Sequence, residues 1–108
     1  MNVWNIQYTE DADNDLSNLD SSVKIRALKI IKRVSQNPLP QSEGGYGKPL
    51  GNRSSSKLAG CLKIKMKSDG LRVVYRLIKE DGVMKIIVIS VRDDDKVYKE
   101  AERRLNQK

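Results

Sequence analysis

The stretch that decides the fold runs from Leu58 to Ile78 and reads LAGCLKIKMKSDGLRVVYRLI. Lysines alternate with apolar residues in its first half and arginines do so in its second, with Asp69-Gly70 between them. This period is typical of β-strands, and an Asp-Gly pair is a strong hairpin signal. A two-residue turn at that pair puts one set of side chains on the same sheet face: Lys63, Lys65, Lys67, Arg72, Val74 and Arg76. The sequence therefore predicts a sheet face that collects cations.

The residues before this hairpin predict one strand and two helices. Residues 3–8 are β-rich and favour a short first strand. Thr9 can cap a short helix, and a second helix begins at Asp20 or Ser21 and stops before Asn37-Pro38. Apolar residues at helical spacing form a stripe on each helix. The stripes consist of Ala12, Leu16 and Leu19 on the first helix and Val23, Ala27, Ile30, Ile31 and Val34 on the second.

The residues after the hairpin predict a central strand and a last helix. Asp81-Gly82 marks a second hairpin, and the apolar run Val83–Val91 indicates a strand covered on both faces. The acidic triplet after Arg92 can begin a helix with an apolar side at Val97, Ala101 and Leu105. The predicted order is β-α-α-β-β-β-α, an α+β fold in one domain spanning residues 1–108.

The long segment Pro38–Lys57 is rich in glycine, proline and serine, and loops of this length are often functional or mobile. It contains the motif GGYGK at residues 44–48. We reject a phosphate-binding P-loop here because the required spacing is absent and Pro49 follows the lysine.

Composition narrows the classes of function. The 108 residues carry 21 Lys and Arg against 14 Asp and Glu, a net charge of +7. This excess suggests a polyanionic partner, although it could serve solubility alone. With no histidine and one cysteine, Cys61, the usual zinc sites and an internal disulfide are excluded. We expect no metal and no cofactor, no membrane span or signal peptide, and a cytoplasmic location.

The predicted cation face has a physical cost. Like charges on neighbouring strands repel, and Asp69 is the single carboxylate within the hairpin sequence. A solvated face that discourages strand pairing is the structural explanation. The functional one is an anionic guest, such as a phosphate backbone or an acidic peptide.

The hairpin, the later VISV segment and the run from Arg92 to Tyr98 resemble the RelE/ParE superfamily of bacterial toxins. The match consists of a G-x-x-K-I-K arm, a turn, the segment GLRVVY, an apolar strand, and an arginine followed by a tyrosine. It covers nearly the whole chain. The resemblance implies a RelE-like fold: a curved, mainly antiparallel sheet with an N-terminal αα-hairpin and a C-terminal helix.

The resemblance also implies a function, that of the toxin of a type II toxin–antitoxin pair. RelE-branch members are mRNA interferases, ribosome-dependent endoribonucleases that cut mRNA without a metal. The implied partners are a cognate antitoxin protein and mRNA on the ribosome. Two alternatives stay open: a ParE-like toxin directed at DNA gyrase, and a non-catalytic module of the same fold that binds nucleic acid or peptide.

Five residues match the working residues of the family, which are lysines, arginines and a tyrosine: Lys63, Lys65, Arg72, Arg92 and Tyr98. We expect further RNA contacts from Arg53, Lys57, Lys67 and Arg76. The chemistry would be attack of the RNA 2′-hydroxyl on the adjacent phosphorus. In that scheme Lys63 or Lys65 is the base, because neighbouring cations disfavour a protonated lysine.

Arg72 would clamp the phosphate and Arg92 would stabilise the leaving oxygen. Tyr98 would orient the hydroxyl or stack on a base, although a buried aromatic anchoring the last helix explains it equally well. Tyr75 and Trp4 we assign to the core, and Cys61 to a small buried position.

Overall fold

The computed structural model describes residues 4–50, 60–91 and 94–105. In chain order its strands and α-helices are β1 (Asn5–Tyr8), α1 (Glu10–Ser17), α2 (Ser21–Val34), β2 (Lys48–Pro49), β3 (Cys61–Met66), β4 (Leu71–Ile78), β5 (Val83–Val91) and α3 (Asp94–Leu105). They form one five-stranded sheet in the order β1-β5-β4-β3-β2. Only the β1–β5 pair is parallel, so the sheet is mainly antiparallel, as predicted. None of the helices in these ranges is long and apolar enough to cross a membrane.

The two N-terminal helices follow the predicted apolar stripes. The Thr9 hydroxyl accepts a hydrogen bond from the Ala12 amide at 3.0 Å and so caps α1. Ala27, Ile31 and Val34 of α2 are buried. Val23 and Ile30 are partly buried and pack on the same core. The helical period of the sequence therefore identified the faces that meet the sheet.

The β3–β4 hairpin confirms the predicted faces but not the predicted turn. Met66 pairs with Leu71, so the connection is the four residues 67–70 rather than Asp69-Gly70 alone. Gly70 has a φ of +63°, a conformation that glycine adopts at little cost. Relative to the predicted pairing the register moves by two residues, which preserves the side-chain faces. Lys65 therefore lies opposite Arg72, and Lys63 opposite Val74.

The sheet carries an apolar core on each face. The first core packs α1 and α2 against side chains that include Ile64, Val73 and Tyr75, with Trp4 partly buried at its margin. The second core lies on the opposite face, where Cys61, Val74 and other residues of the sheet meet α3. The cation-bearing face is thus not simply solvated, because α3 covers part of it. Tyr75 and Cys61 are buried as predicted.

An irregularity in β5 enlarges this second core. The register between β4 and β5 shifts so that Val74 pairs with Val88 while the next residue, Tyr75, pairs with Ile86. Ile87 is the extra residue, as in a β-bulge. Both Ile87 and Val88 belong to the second core. The bulge therefore gives α3 a wider apolar surface on which to pack.

Candidate active site

The predicted cations of the hairpin lie together on the α3 side of the sheet. Lys63 and Lys65 are two residues apart on β3, so their side chains share a face. Arg72 lies directly across from Lys65 on β4. Lys63 is buried, whereas Lys65 and Arg72 are partly exposed. The three side chains form a cationic strip that runs from the interior towards the surface.

Tyr98 joins this strip from α3. The Lys63 Nζ donates a hydrogen bond to the Tyr98 hydroxyl at 2.8 Å, and that hydroxyl donates to the Leu50 carbonyl at 2.6 Å. The ammonium is also 5.5 Å from the centroid of the phenol ring. Lys63 is only 7% exposed and Tyr98 only 4%. A ring this buried cannot stack on a base, so the structure favours the role of the Tyr98 hydroxyl over the predicted stacking.

Arg104 fixes the position of α3, and sequence reasoning missed it. Its guanidinium donates to the Asp15 carboxylate at 2.8 and 3.2 Å and to the Ile87 carbonyl at 2.7 Å. It also donates to Glu100 at 2.6 Å. Asp15 in turn accepts from the Ile89 amide at 3.0 Å. This cluster ties α3 to α1 and to β5, one helical turn and a half beyond Tyr98.

Two carboxylates of the described residues, Asp69 and Glu100, are hydrogen-bonded to arginines. Asp69, the carboxylate of the hairpin sequence, accepts hydrogen bonds from Arg26 of α2, the shortest at 2.6 Å. Hydrogen bonds from Arg103 and Arg104 hold the pKa of Glu100 at about 2. The Arg26 guanidinium likewise lowers the pKa of Asp69. Asp69 and Glu100 thus each form ion pairs with arginines that lie outside the cationic strip.

The remaining predicted residues divide into two groups. Lys67, in the turn after β3, and Arg76, on β4, are exposed, whereas Lys63 is buried. Arg53, Lys57 and Arg92 lie outside the described residues. Burial raises the pKa of the Cys61 thiol, which suits a packing role better than a reactive one.

The arrangement can do acid–base and electrostatic chemistry on a phosphodiester. Primary amines, a guanidinium and a phenol are its functional groups. In residues 4–50, 60–91 and 94–105, no three His, Cys, Asp or Glu side chains are grouped so that they could hold a metal ion. Arginine and lysine donors placed in a partly water-excluded site bind phosphate oxygens strongly. The strip therefore suits a polyanionic strand that enters at Lys65 and Arg72.

Comparison with known proteins relates the chain to bacterial toxins. It is 29% identical over 100 residues to the mRNA interferase toxin RelE of Escherichia coli strain K12, covering 93% of this chain and 95% of the relative. No protein-family model matches it.

Solved structures agree with this relation. A free-state structure of an arginine mutant of the E. coli toxin RelE superposes with a TM-score of 0.73 at 25% identity, covering 94% of this chain and 97% of that one. The same mutant toxin in complex with an antitoxin peptide gives a TM-score of 0.66 at 25% identity, covering 92% and 94%.

Fold and site together define a small α+β protein with a cationic strip under a C-terminal helix. The matches cover nearly the full length of both chains. The chain is therefore similar in sequence and fold, over nearly its whole length, to RelE toxins.

Proposed function

We propose that this chain is the toxin of a type II toxin–antitoxin pair and an endoribonuclease that cuts mRNA on the ribosome without a metal. One observation carries the proposal. The Lys63–Tyr98 hydrogen bond lies beside the opposed pair Lys65 and Arg72, on a chain similar over most of its length to an mRNA interferase. Four of the five residues predicted to be catalytic thus lie on one face. The fifth, Arg92, comes directly after the last residue of β5.

The proposed reaction is transesterification within the RNA. Lys65 is partly exposed and takes the proton of the 2′-hydroxyl, which attacks the adjacent phosphorus. The bond to the 5′-oxygen breaks, leaving a 2′,3′-cyclic phosphate and a 5′-hydroxyl that gains a proton. Arg72 binds the non-bridging phosphate oxygens as negative charge develops on them. Lys63, held by Tyr98, adds positive charge from the interior.

Such a site has no strong acid–base residue, so positioning of the substrate has to supply much of the rate. A ribosome that holds the mRNA rigidly provides that positioning. The partner that silences the toxin is a cognate antitoxin, as in the related RelE complex with an antitoxin peptide. A net charge of +7 suits an acidic or amphipathic antitoxin segment. Because translating ribosomes lie in the bacterial cytoplasm, the proposed activity supports a cytoplasmic location.

The test is the variant Arg72→Ala. Losing one donor to a developing oxyanion costs roughly 100- to 1,000-fold in rate, so growth arrest and mRNA cleavage should be abolished. Thermal unfolding should change little, because Arg72 is partly exposed. Lys79→Ala is the matched control, since it removes one exposed cation just beyond the end of β4.

Mapping new 5′ ends in ribosome-bound transcripts after induction reads out the cleavage directly. An Arg72→Ala protein as toxic as the wild type contradicts the assignment. Uncut transcripts together with a DNA-damage response would instead identify a toxin directed at gyrase.

A further inference from the structure

A cavity of about 180 Å³ opens beside the cationic strip, between α2 and the outer edge of β3. Its floor is aliphatic, with Ile30 and Val34 among the lining residues. Its other lining groups are the Tyr46 ring and three cations, Arg33, Lys48 and Lys65. No carboxylate is found among the described residues that line it. The cavity thus combines an aromatic surface with uniformly positive charge.

Tyr46 is an exposed aromatic residue, with 48% of its surface accessible. The Arg33 guanidinium carbon lies over the ring, 5.8 Å from its centroid. Tyr46 belongs to the GGYGK motif, and this motif has no role in the proposed active site. Among the residues that the structure describes, the Tyr46 ring belongs to neither of the two apolar cores.

The backbone that carries Tyr46 is held rigidly. The Tyr46 amide donates to the Asn37 carbonyl at 2.9 Å, and the Gly47 amide donates to the Leu39 carbonyl at 3.0 Å. The two neighbours of Tyr46 are packed too closely for any side chain. A Cβ on Gly45 would lie 2.0 Å from the Leu39 carbonyl oxygen, and one on Gly47 would lie 2.3 Å from the Tyr75 hydroxyl. The loop therefore presents an exposed ring on a fixed support, which lowers the entropic cost of binding.

Lys65 connects the cavity with the proposed active site. It lines the cavity and also lies opposite Arg72. Strand β2 pairs with β3 only at Leu62 and Lys63 in the described residues, so the edge of β3 next to Lys65 is where the cavity opens. Lys65 is therefore a member of both the cavity lining and the cationic strip.

We propose that this cavity is a nucleotide subsite, which binds one unpaired nucleotide of the mRNA that the strip cleaves. The base stacks on Tyr46, and Arg33 and Lys48 contact the phosphate. Aromatic rings flanked by arginine and lysine are the usual means of binding unpaired RNA, because every base has a stacking face. An acidic peptide fits less well, since the aliphatic floor is small. The inference rests on the proposed function, which supplies the RNA strand.

The experiment measures binding separately from cleavage. The probe is a fluorescein-labelled single-stranded oligoribonucleotide with 2′-O-methyl groups throughout, which cannot be cut, and the readout is fluorescence anisotropy at low salt. Tyr46→Ala should weaken binding roughly tenfold, whereas Tyr46→Phe, which keeps the ring, should bind about as well as the wild type. Ile25→Ala is the matched control, because Ile25 is an equally exposed apolar residue at 54% and does not line the cavity.

A second series locates the stacked base. Abasic residues are placed at one oligonucleotide position at a time. An abasic residue at one of these positions should weaken binding to the wild type roughly tenfold. At that position it should not weaken binding to Tyr46→Ala any further. Arg33→Ala should also weaken binding, whereas Lys29→Ala, an exposed cation on the same helix that lies outside the cavity, should not.

Failure of this subsite is distinguishable from failure of the proposed function. If the wild type needs Tyr46 to bind the oligonucleotide but never cuts ribosome-bound mRNA, the subsite is supported and the proposed function is contradicted. Equal affinities for the wild type and Tyr46→Ala, or no binding by either, overturn the subsite even if cleavage is observed. The subsite is also overturned if Tyr46→Ala weakens binding only to ribosomes without mRNA, or only to an acidic peptide, and not to the oligonucleotide. Matching thermal midpoints confirm that the variants fold.

Discussion

Two buried tyrosines, one on each side of the sheet, do different work. Tyr75 lies in the first core and Tyr98 in the second. Each hydroxyl donates to a loop carbonyl, that of Pro38 at 2.7 Å and that of Leu50 at 2.6 Å. Only the Tyr98 hydroxyl also accepts a hydrogen bond from an ammonium, that of Lys63. Tyr75 thus completes an apolar core, whereas Tyr98 packs in an apolar core and also binds the charged group of Lys63.

This difference between the tyrosines reflects a difference between the α1–α2 side of the sheet and the α3 side. In the part of the chain that the structure describes, Lys63 is the one charged residue that is buried, whereas burial alone raises the pKa of Tyr75 on the other side of the sheet. The second core encloses Lys63, whose removal from water is costly unless polar groups compensate it. A protein selected for stability alone gains little from a buried lysine. The α1–α2 side therefore supports the fold, and the α3 side holds the groups that we propose to act on substrate.

The largest expected effect comes from removing the buried charge. Lys63→Met fills a similar volume without the ammonium, so cleavage should fall by roughly 100-fold or more. The free energy of unfolding should stay the same or increase, because replacing a buried charge with an apolar side chain is often neutral or stabilising. Cleavage mapping and urea denaturation check the two halves of this prediction. A strongly destabilised Lys63→Met protein would show that the lysine serves the fold.

The next effect concerns the anchoring of α3. Arg104→Ala should lower the free energy of unfolding by about 2–3 kcal/mol, because the Asp15 carboxylate and the Ile87 carbonyl lose their charged donor. Arg103→Ala is the control. Arg103 sits one residue earlier, pairs with Glu100, and has 53% of its side chain exposed against 11% for Arg104. Equal losses in the two variants would mean that the cluster does not hold the helix.

Removing the hydroxyl of each tyrosine in turn tests the difference between Tyr75 and Tyr98 directly. Tyr75→Phe should cost about 1–2 kcal/mol of stability, since the Pro38 carbonyl loses its donor, and should leave the cleavage rate of the folded protein unchanged. Tyr98→Phe should cost a similar amount and in addition lower the cleavage rate roughly tenfold. Urea denaturation and single-turnover cleavage separate the two effects. Identical cleavage by both variants would remove the distinction drawn between the two sides.

The smallest effect is a pH dependence on the α3 side. The pKa of Glu100 falls from 4.5 to about 2 on folding, mainly through the hydrogen bond from Arg103. A lowered folded-state pKa contributes stability above the unfolded value, and this contribution is lost as the pH falls from about 4.5 towards 2. Glu100→Gln should therefore flatten the stability curve in that range and leave the slope at neutral pH unchanged. Thermal melts across an acidic series test it.

Local patterns in the sequence were enough to predict much of the fold. The alternation of apolar residues and lysines from Leu62 to Met66 predicted which side chains share a face of β3. The predicted turn length was wrong, but the faces were correct because the register error was an even number of residues. The helical stripes of α1 and α2 were confirmed for the same reason, since period alone determines which side is buried. Strand β2 was missed, because two residues ending in Pro49 carry no periodic signal.

The sequence predicted that Lys63, Lys65, Arg72 and Tyr98 lie close together, but it did not predict how deeply Lys63 and Tyr98 are buried. The proximity of Tyr98 to the lysines follows from the position of α3 after β5, but the burial of Lys63 depends on how that helix packs. The Arg104–Asp15 contact joins residues 89 apart in sequence, and no local pattern marks either partner. Tyr46 lay within a glycine-rich motif that was considered only as a phosphate loop. Tertiary packing decided each of these points.

The short first strand leaves part of the edge of β5 without a neighbouring strand in the described residues. β1 pairs with β5 only as far as Ile86, and beyond it the outer edge of β5 would be a template for strand addition by another copy. Side chains occupy that edge instead: Arg104 takes the Ile87 carbonyl and Asp15 takes the Ile89 amide. The cluster that secures α3 thereby also occupies hydrogen-bonding groups of this edge, which makes pairing with the strand of another copy less favourable.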